Sequence, residues 1–126
     1  MNEKKVILAI DDNVQQLSEF KSMLVSQYDL RVVKSASEAI AFLSRNQSDI
    51  ILLDIEMPNI SGFEFLNDLK KIPSFFNTPV IIVSGNSSQE FMDKARKSAV
   101  FDVLIKPIKP ENLITVIEKA LDAHPL

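Results

Sequence analysis

The sequence predicts a three-layer α/β domain, a doubly wound (βα)5 arrangement in which a parallel sheet of five strands lies between two layers of helices. Two observations carry this. Short apolar runs of strand length, rich in Val and Ile, recur at residues 6–10, 30–33, 50–55, 80–83 and 103–105. Between and after them lie stretches whose apolar residues are spaced by three and four, the period of an amphipathic helix. Nearly continuous apolar strands joined by helices imply a parallel sheet covered on both faces.

Each unit has its own signals. The first run leads into Asp11 and Asp12, and then into a helical pattern of Leu17, Phe20, Met23 and Leu24. The second ends at Lys34 and Ser35, and Ser35-x-x-Glu38 reads as a capping box opening the helix of Ala36, Ala39, Ile40 and Leu43. The third closes on Asp54 and Ile55, with Phe63, Leu66 and Leu69 marking the helix that follows. Residues 72–78 form a loop whose Phe75 and Phe76 are expected to pack beneath it, partner contact being the other possibility. The fourth run is followed by Ser84-Gly85, and Ser87-x-x-Glu90 reads as a second capping box before Phe91, Ala95 and Ala99. The fifth ends at Lys106-Pro107, and Pro110 with Glu111 opens a last helix carrying Leu113, Val116, Ile117, Ala120 and Leu121.

Composition narrows the function. At 126 residues, 46% hydrophobic and 25% charged, the chain is expected to be one globular domain over 1–126. A net charge of −3 supplies no basic field for a phosphate backbone, so direct nucleic-acid binding is not expected. The absence of Cys excludes a disulfide framework, a thiolate metal site and a Cys nucleophile, and suits a cytoplasmic location. The run at 6–10 is too short for a signal-peptide core or a membrane span. Only Gly62 and Gly85 are present, so no GxGxxG turn or Walker A loop can be written.

Ligands of open parallel sheets bind beyond the carboxyl ends of the strands. There the first strand delivers Asp11 and Asp12, the third Asp54, the fourth Ser84 and the fifth Lys106. Singly these have ordinary explanations: an Asp pair caps helices, Ser before Gly makes turns, and Lys at a strand end is solvated. Asp54 is harder to dismiss, because an aspartate closing Ile50-Ile51-Leu52-Leu53 is costly unless paired or solvated. Three carboxylates at one edge repel unless a cation neutralises them, and an all-oxygen set points to Mg²⁺ or Mn²⁺, with Mg²⁺ favoured. Such an ion completes its shell with phosphate oxygens, for which Ser84 and Lys106 are suitable donors. Among these groups only a carboxylate in the middle of the cluster is both nucleophilic at neutral pH and capable of a covalent phosphoryl intermediate, and Asp54 is the best candidate.

These residues resemble the receiver domain of two-component response regulators. The similarity runs from Val6 to about Leu121, and its most specific segment is Asp54-Ile55-Glu56-Met57-Pro58-Asn59-Ile60-Ser61-Gly62, the family's D-x-x-M-P-x-x-x-G pattern. Ile10-Asp11-Asp12, Val83-Ser84-Gly85 and Lys106-Pro107 follow the family's order and spacing. The resemblance implies strand order 2-1-3-4-5, the order shared by flavodoxin and the chemotaxis receiver. It implies that Asp54 accepts a phosphoryl group from a sensor histidine kinase or a histidine phosphotransfer protein, and that the result is read by a downstream partner or a fused output domain. It further implies Mg²⁺ held by Asp12, Asp54 and the backbone carbonyl of Glu56, with Asp11 acting through metal-bound water. Lys106 would pair with the phosphoryl group, with a cis bond to Pro107, and Ser84 would swing to a phosphoryl oxygen. Such a domain promotes its own phosphotransfer and hydrolysis without being a conventional enzyme.

Three positions depart from the family pattern. Val103 stands where the switch aromatic is usual, Ala99-Val100 replaces a common Gly-Ala, and Glu56 puts a charge at the site's rim two residues after Asp54. Phe101, at a spacing of two, is expected on the same face as Val103. A haloacid-dehalogenase-like phosphatase would need D-x-D-x-T after the first strand, where the chain has Asp11-Asp12-Asn13-Val14-Gln15. A flavodoxin-like FMN domain would need a phosphate loop there. The remaining alternative is a pseudo-receiver, an interaction module with little or no phosphate turnover. The chain ends at Ala123-His124-Pro125-Leu126, consistent with a free receiver or one cut from a longer regulator, and His124 is expected at a frayed helix end.

Overall fold

The computed structural model describes residues 4–56, 62–72 and 78–123. Five βα units follow one another: β1 (Val6–Ile10), α1 (Val14–Leu24), β2 (Asp29–Val33), α2 (Ala36–Leu43), β3 (Ile50–Asp54), α3 (Gly62–Lys70), β4 (Val80–Ser84), α4 (Gln89–Lys97), β5 (Asp102–Ile105) and α5 (Pro110–Asp122). All pairings are parallel and the order is β2-β1-β3-β4-β5, as the resemblance implied. The expectation for Phe75 and Phe76, the Met57 to Ser61 part of the motif, and His124 lie outside the described residues.

The period of two along each strand divides the core. Leu8, Ile10, Ile51, Leu53, Val80 and Ile82 face α2, α3 and α4, through residues such as Leu43, Phe65, Leu66, Phe91 and Ala95. Ile7, Ala9, Ile50, Leu52, Ile81 and Val83 face α1 and α5, through Leu17, Phe20, Leu24, Leu113, Ile117 and Ala120. β3 and β4 are buried at every position, which is why they read in the sequence as unbroken apolar runs.

Helix starts follow their local chemistry, with two differences from expectation. Ser35 caps α2 by accepting from the Glu38 N–H at 3.1 Å, but the Glu38 carboxylate reaches past the cap to the Lys34 N–H, also at 3.1 Å. The box expected at Ser87 does not form: Ser88 is the cap, its Oγ accepting from the Phe91 N–H, and Phe91 has no carboxylate to return the bond. The reason lies upstream, where Asn86 Oδ1 accepts from the Ser88 N–H at 2.9 Å and holds that residue extended. Pro110 takes the first turn of α5 as expected. Ala99, after α4, has φ 57°, so the left-handed exit common to glycine is here adopted by alanine.

Candidate functional site

β1 has β2 on one side and β3 on the other, so the direction in which successive strands are added reverses at β1, and the crevice opens at the carboxyl ends of β1 and β3. Asp11 and Asp12 follow β1 and Asp54 is the last residue of β3. Asp11, Asp54 and Ser84 are 0%, 4% and 0% exposed, whereas Asp12 is exposed. One carboxylate oxygen from each of Asp11, Asp12 and Asp54 lies within 4.8 Å of the others.

The partners of these oxygens are specific. Asp11 Oδ1 accepts from the Asn13 N–H at 2.9 Å, while Asp11 Oδ2 is buried without a hydrogen-bond partner. Asn13, rather than either aspartate, caps α1. Burial pushes the Asp11 carboxyl up to about 7 against the opposing bond from Asn13, and Asp54 beside it raises it further. Asp54 Oδ1 accepts from the Glu56 N–H at 2.9 Å, and Asp54 Oδ2 faces Lys106 Nζ at 3.5 Å. Lys106 is held there by its own N–H, which donates to the Ser84 carbonyl at 2.7 Å, and its bond to Pro107 is cis.

A buried carboxylate oxygen with no donor, beside two more carboxylates, is the electrostatic signature of a cation position. Asp11, Asp12 and Asp54 are the side chains able to hold a metal ion there among the described residues, and their all-oxygen chemistry suits a hard divalent cation.

Glu56 does more than stand at the rim. Its Oε1 accepts from the Ser84 hydroxyl at 2.8 Å and from the Gly85 N–H at 2.6 Å. The Ser84 hydroxyl and then the Gly85 amide hold the Glu56 carboxyl below the ordinary glutamate range. Sequence reasoning placed the charge and missed its reach: Glu56 lies beyond the end of β3, and its position is set by bonds to Ser84 and Gly85 that no local pattern announces.

Val103 lies apart from this cluster, half-buried against the layer of α2, α3 and α4. Phe101 does not share its face, which corrects the expectation. β5 begins only at Asp102, so strand alternation does not extend back to Phe101, which packs on the α1 and α5 side.

The model of the response regulator receiver domain matches residues 7–118. The chain belongs to that family. This receiver domain is 35% identical to a protein-glutamate methylesterase/protein-glutamine glutaminase 1 of Myxococcus xanthus, over 87% of this chain and 32% of that protein. It is 30% identical to a probable cyclic di-GMP phosphodiesterase of Vibrio cholerae, over 81% of this chain and 23% of that one. The receiver thus spans about a third or less of these curated relatives. Among solved structures, a response regulator receiver domain protein from Clostridium thermocellum matches with a TM-score of 0.84 and 29% identity, covering 94% of this chain and 95% of that one.

Proposed function

We propose that this receiver domain is a phosphorylation switch in which Asp54 takes a phosphoryl group from a phosphohistidine. The observation that carries the reading is the position of the Asp54 carboxylate, buried at the end of the central strand between an acidic pair and the Lys106 ammonium, 3.5 Å away. A carboxylate oxygen of Asp54 attacks phosphorus and an O–P bond forms. The P–N bond of the donor breaks, and its electron pair and a proton stay on the departing imidazole. The Glu56 N–H orients Asp54 by holding Oδ1. Lys106 and the Ser84 hydroxyl serve as donors to the phosphoryl oxygens, where a charge-assisted bond is worth most.

Mg²⁺ is the cation this all-oxygen cluster suits; Asp12, Asp54 and the Glu56 carbonyl would hold it, with Asp11 acting through metal-bound water, and it would neutralise charge between the carboxylates and the incoming group. Catalytic work is thus confined to Asp54, Ser84 and Lys106 acting on the domain's own phosphorylation and hydrolysis, without turnover of an external substrate. The donor is a sensor histidine kinase or a histidine phosphotransfer protein, in the cytoplasm. The reader is a separate protein or a fused output domain, in keeping with the greater length of the relatives. Among the described residues no helix is long and apolar enough to cross a membrane.

Intact mass spectrometry after incubation with acetyl phosphate or phosphoramidate and Mg²⁺ tests the proposal. One added phosphoryl group in wild type and none in Asp54→Asn is the expected result. Equal labelling of both moves the acceptor elsewhere, and no labelling of either favours the pseudo-receiver that Val103 suggests.

A further inference from the structure

The donors that a phosphoryl oxygen needs at the end of β4 are already taken. The Ser84 hydroxyl and the Gly85 N–H converge on a single atom, Glu56 Oε1, at 2.8 and 2.6 Å. That atom belongs to a carboxylate, an anionic oxygen with the charge and acceptor geometry of a phosphoryl oxygen. Its position is fixed by a short tether, because the Glu56 N–H donates to Asp54 Oδ1 at 2.9 Å and only one residue separates the two. The oxygen sits against the Gly85 backbone through that N–H bond, and no side chain crowds it there: even a Cβ on Gly85 would meet Glu56 Oε1 only at 3.6 Å, ordinary contact. Exposure of the rest of Glu56 leaves it free to swing outward without breaking a packed core.

We propose that the Glu56 carboxylate is a built-in competitor for the phosphoryl group, filling the anion position at Ser84 and Gly85 until the incoming group displaces it. The proposal rests on the reading of Asp54 as phosphoacceptor and adds to it a regulated access. The unphosphorylated domain divides its time between a closed site, with Glu56 seated, and an open one able to receive an anion. Apparent affinity for any phosphoryl-like ligand falls by the fraction of time the site is open. A Glu two residues after the acceptor therefore sets how readily this domain is phosphorylated and holds the Ser84 and Gly85 donors oriented beforehand.

The test is a titration with beryllofluoride, a phosphoryl mimic, at saturating Mg²⁺, read from amide chemical shifts. It compares wild type, Glu56→Ala and Glu56→Asp. Alanine removes the occupant; aspartate keeps the charge and, one methylene shorter, fails to reach the two donors. Both variants are expected to bind about tenfold tighter than wild type, and in both the Gly85 amide proton should move upfield before any ligand is added, as its short bond is lost. Tightening in the alanine variant alone would reduce the role of Glu56 to charge repulsion and overturn the proposal. So would an unchanged affinity in both variants while Asp54 still accepts a phosphoryl group, which leaves the phosphoacceptor reading intact. No beryllofluoride binding in any of the three, together with no labelling of Asp54, would remove that reading and this proposal with it.

Discussion

Gly62 stands so close to Ile55 that a Cβ placed on it would come within 2.6 Å of Ile55 Cδ1 and 2.8 Å of both the Ile55 Cα and its carbonyl oxygen. Two of those three atoms are backbone, and Ile55 follows Asp54 directly, so the contact brings the start of α3 against the segment that leaves the site. Gly62→Ala should destabilise the domain by about 2 kcal/mol, the range of overpacking in a buried position. Urea unfolding reads this as a lowered midpoint at unchanged slope; a midpoint equal to wild type would show that the approach relaxes freely.

The buried Asp11 carboxyl makes stability depend on pH. With the Asp11 carboxyl at about 7 in the fold against 3.8 for the ordinary group, the folded domain keeps a proton that the unfolded chain has released between about pH 4 and 7. Unfolding releases that proton, so the stabilising contribution is complete below pH 4, declines as pH rises and is gone above 7. Asp11→Asn removes the dependence. In chelator, unfolding free energies at pH 5 and pH 8 should show the Asn variant gaining on wild type as pH rises, by at most about 1.4 kcal/mol per pH unit. Millimolar Mg²⁺ should narrow the gap by stabilising wild type.

The parts of the fold that were legible in the sequence are those governed by local pattern. Apolar runs such as 50–55 and 80–83 announced β3 and β4 because both faces of those strands are buried. The edge residues Asp11, Asp12, Asp54, Ser84 and Lys106 were legible because strand ends are, in a parallel sheet, a common edge. Strand order came from the family resemblance, since apolar pattern does not say which strand neighbours which. The cap at Ser88 and the reach of Glu56 escaped because each depends on a hydrogen bond between side chain and loop backbone, Asn86 to Ser88 and Glu56 to Gly85. Phe101 was misassigned for a different reason: β5 begins only at Asp102, after a turn in which Ala99 is left-handed, so the spacing of strand residues does not reach it.

That turn is itself testable. Ala99 holds φ 57°, exposed to solvent, where a Cβ crowds the neighbouring carbonyl and glycine does not. The relief on Ala99→Gly exceeds the extra chain entropy of glycine in the unfolded state, so the variant should be about 0.5–1 kcal/mol more stable. A thermal melt should show a midpoint a few degrees higher; a lower one would mean that the methyl group contributes packing that offsets its strain.

Phosphorylation should be read through the loop after β4 rather than through β5. The Ser84 hydroxyl accepts from the Asn86 N–H at 2.9 Å, Asn86 Oδ1 accepts from the Ser88 N–H at 2.9 Å, and Ser88 caps α4 through the Phe91 N–H at 3.2 Å. Movement of the Ser84 hydroxyl toward a phosphoryl oxygen therefore pulls on a continuous chain of hydrogen bonds ending at the first turn of α4. Val103 has no comparable link: it is aliphatic, restricted in χ1, and packed against the layer under α2, α3 and α4, where the family usually carries a ring able to rotate. Beryllofluoride with Mg²⁺ should shift the amides of Glu56, Gly85, Asn86, Ser88 and Phe91 most, with Val103 and α5 nearly still. Ser84→Ala cuts the chain at its first link and should abolish the shifts at Ser88 and Phe91 while leaving those beside Asp54. Large shifts across Val103 and α5 over a quiet Gly85 to Ser88 loop would show that the signal leaves by β5 after all.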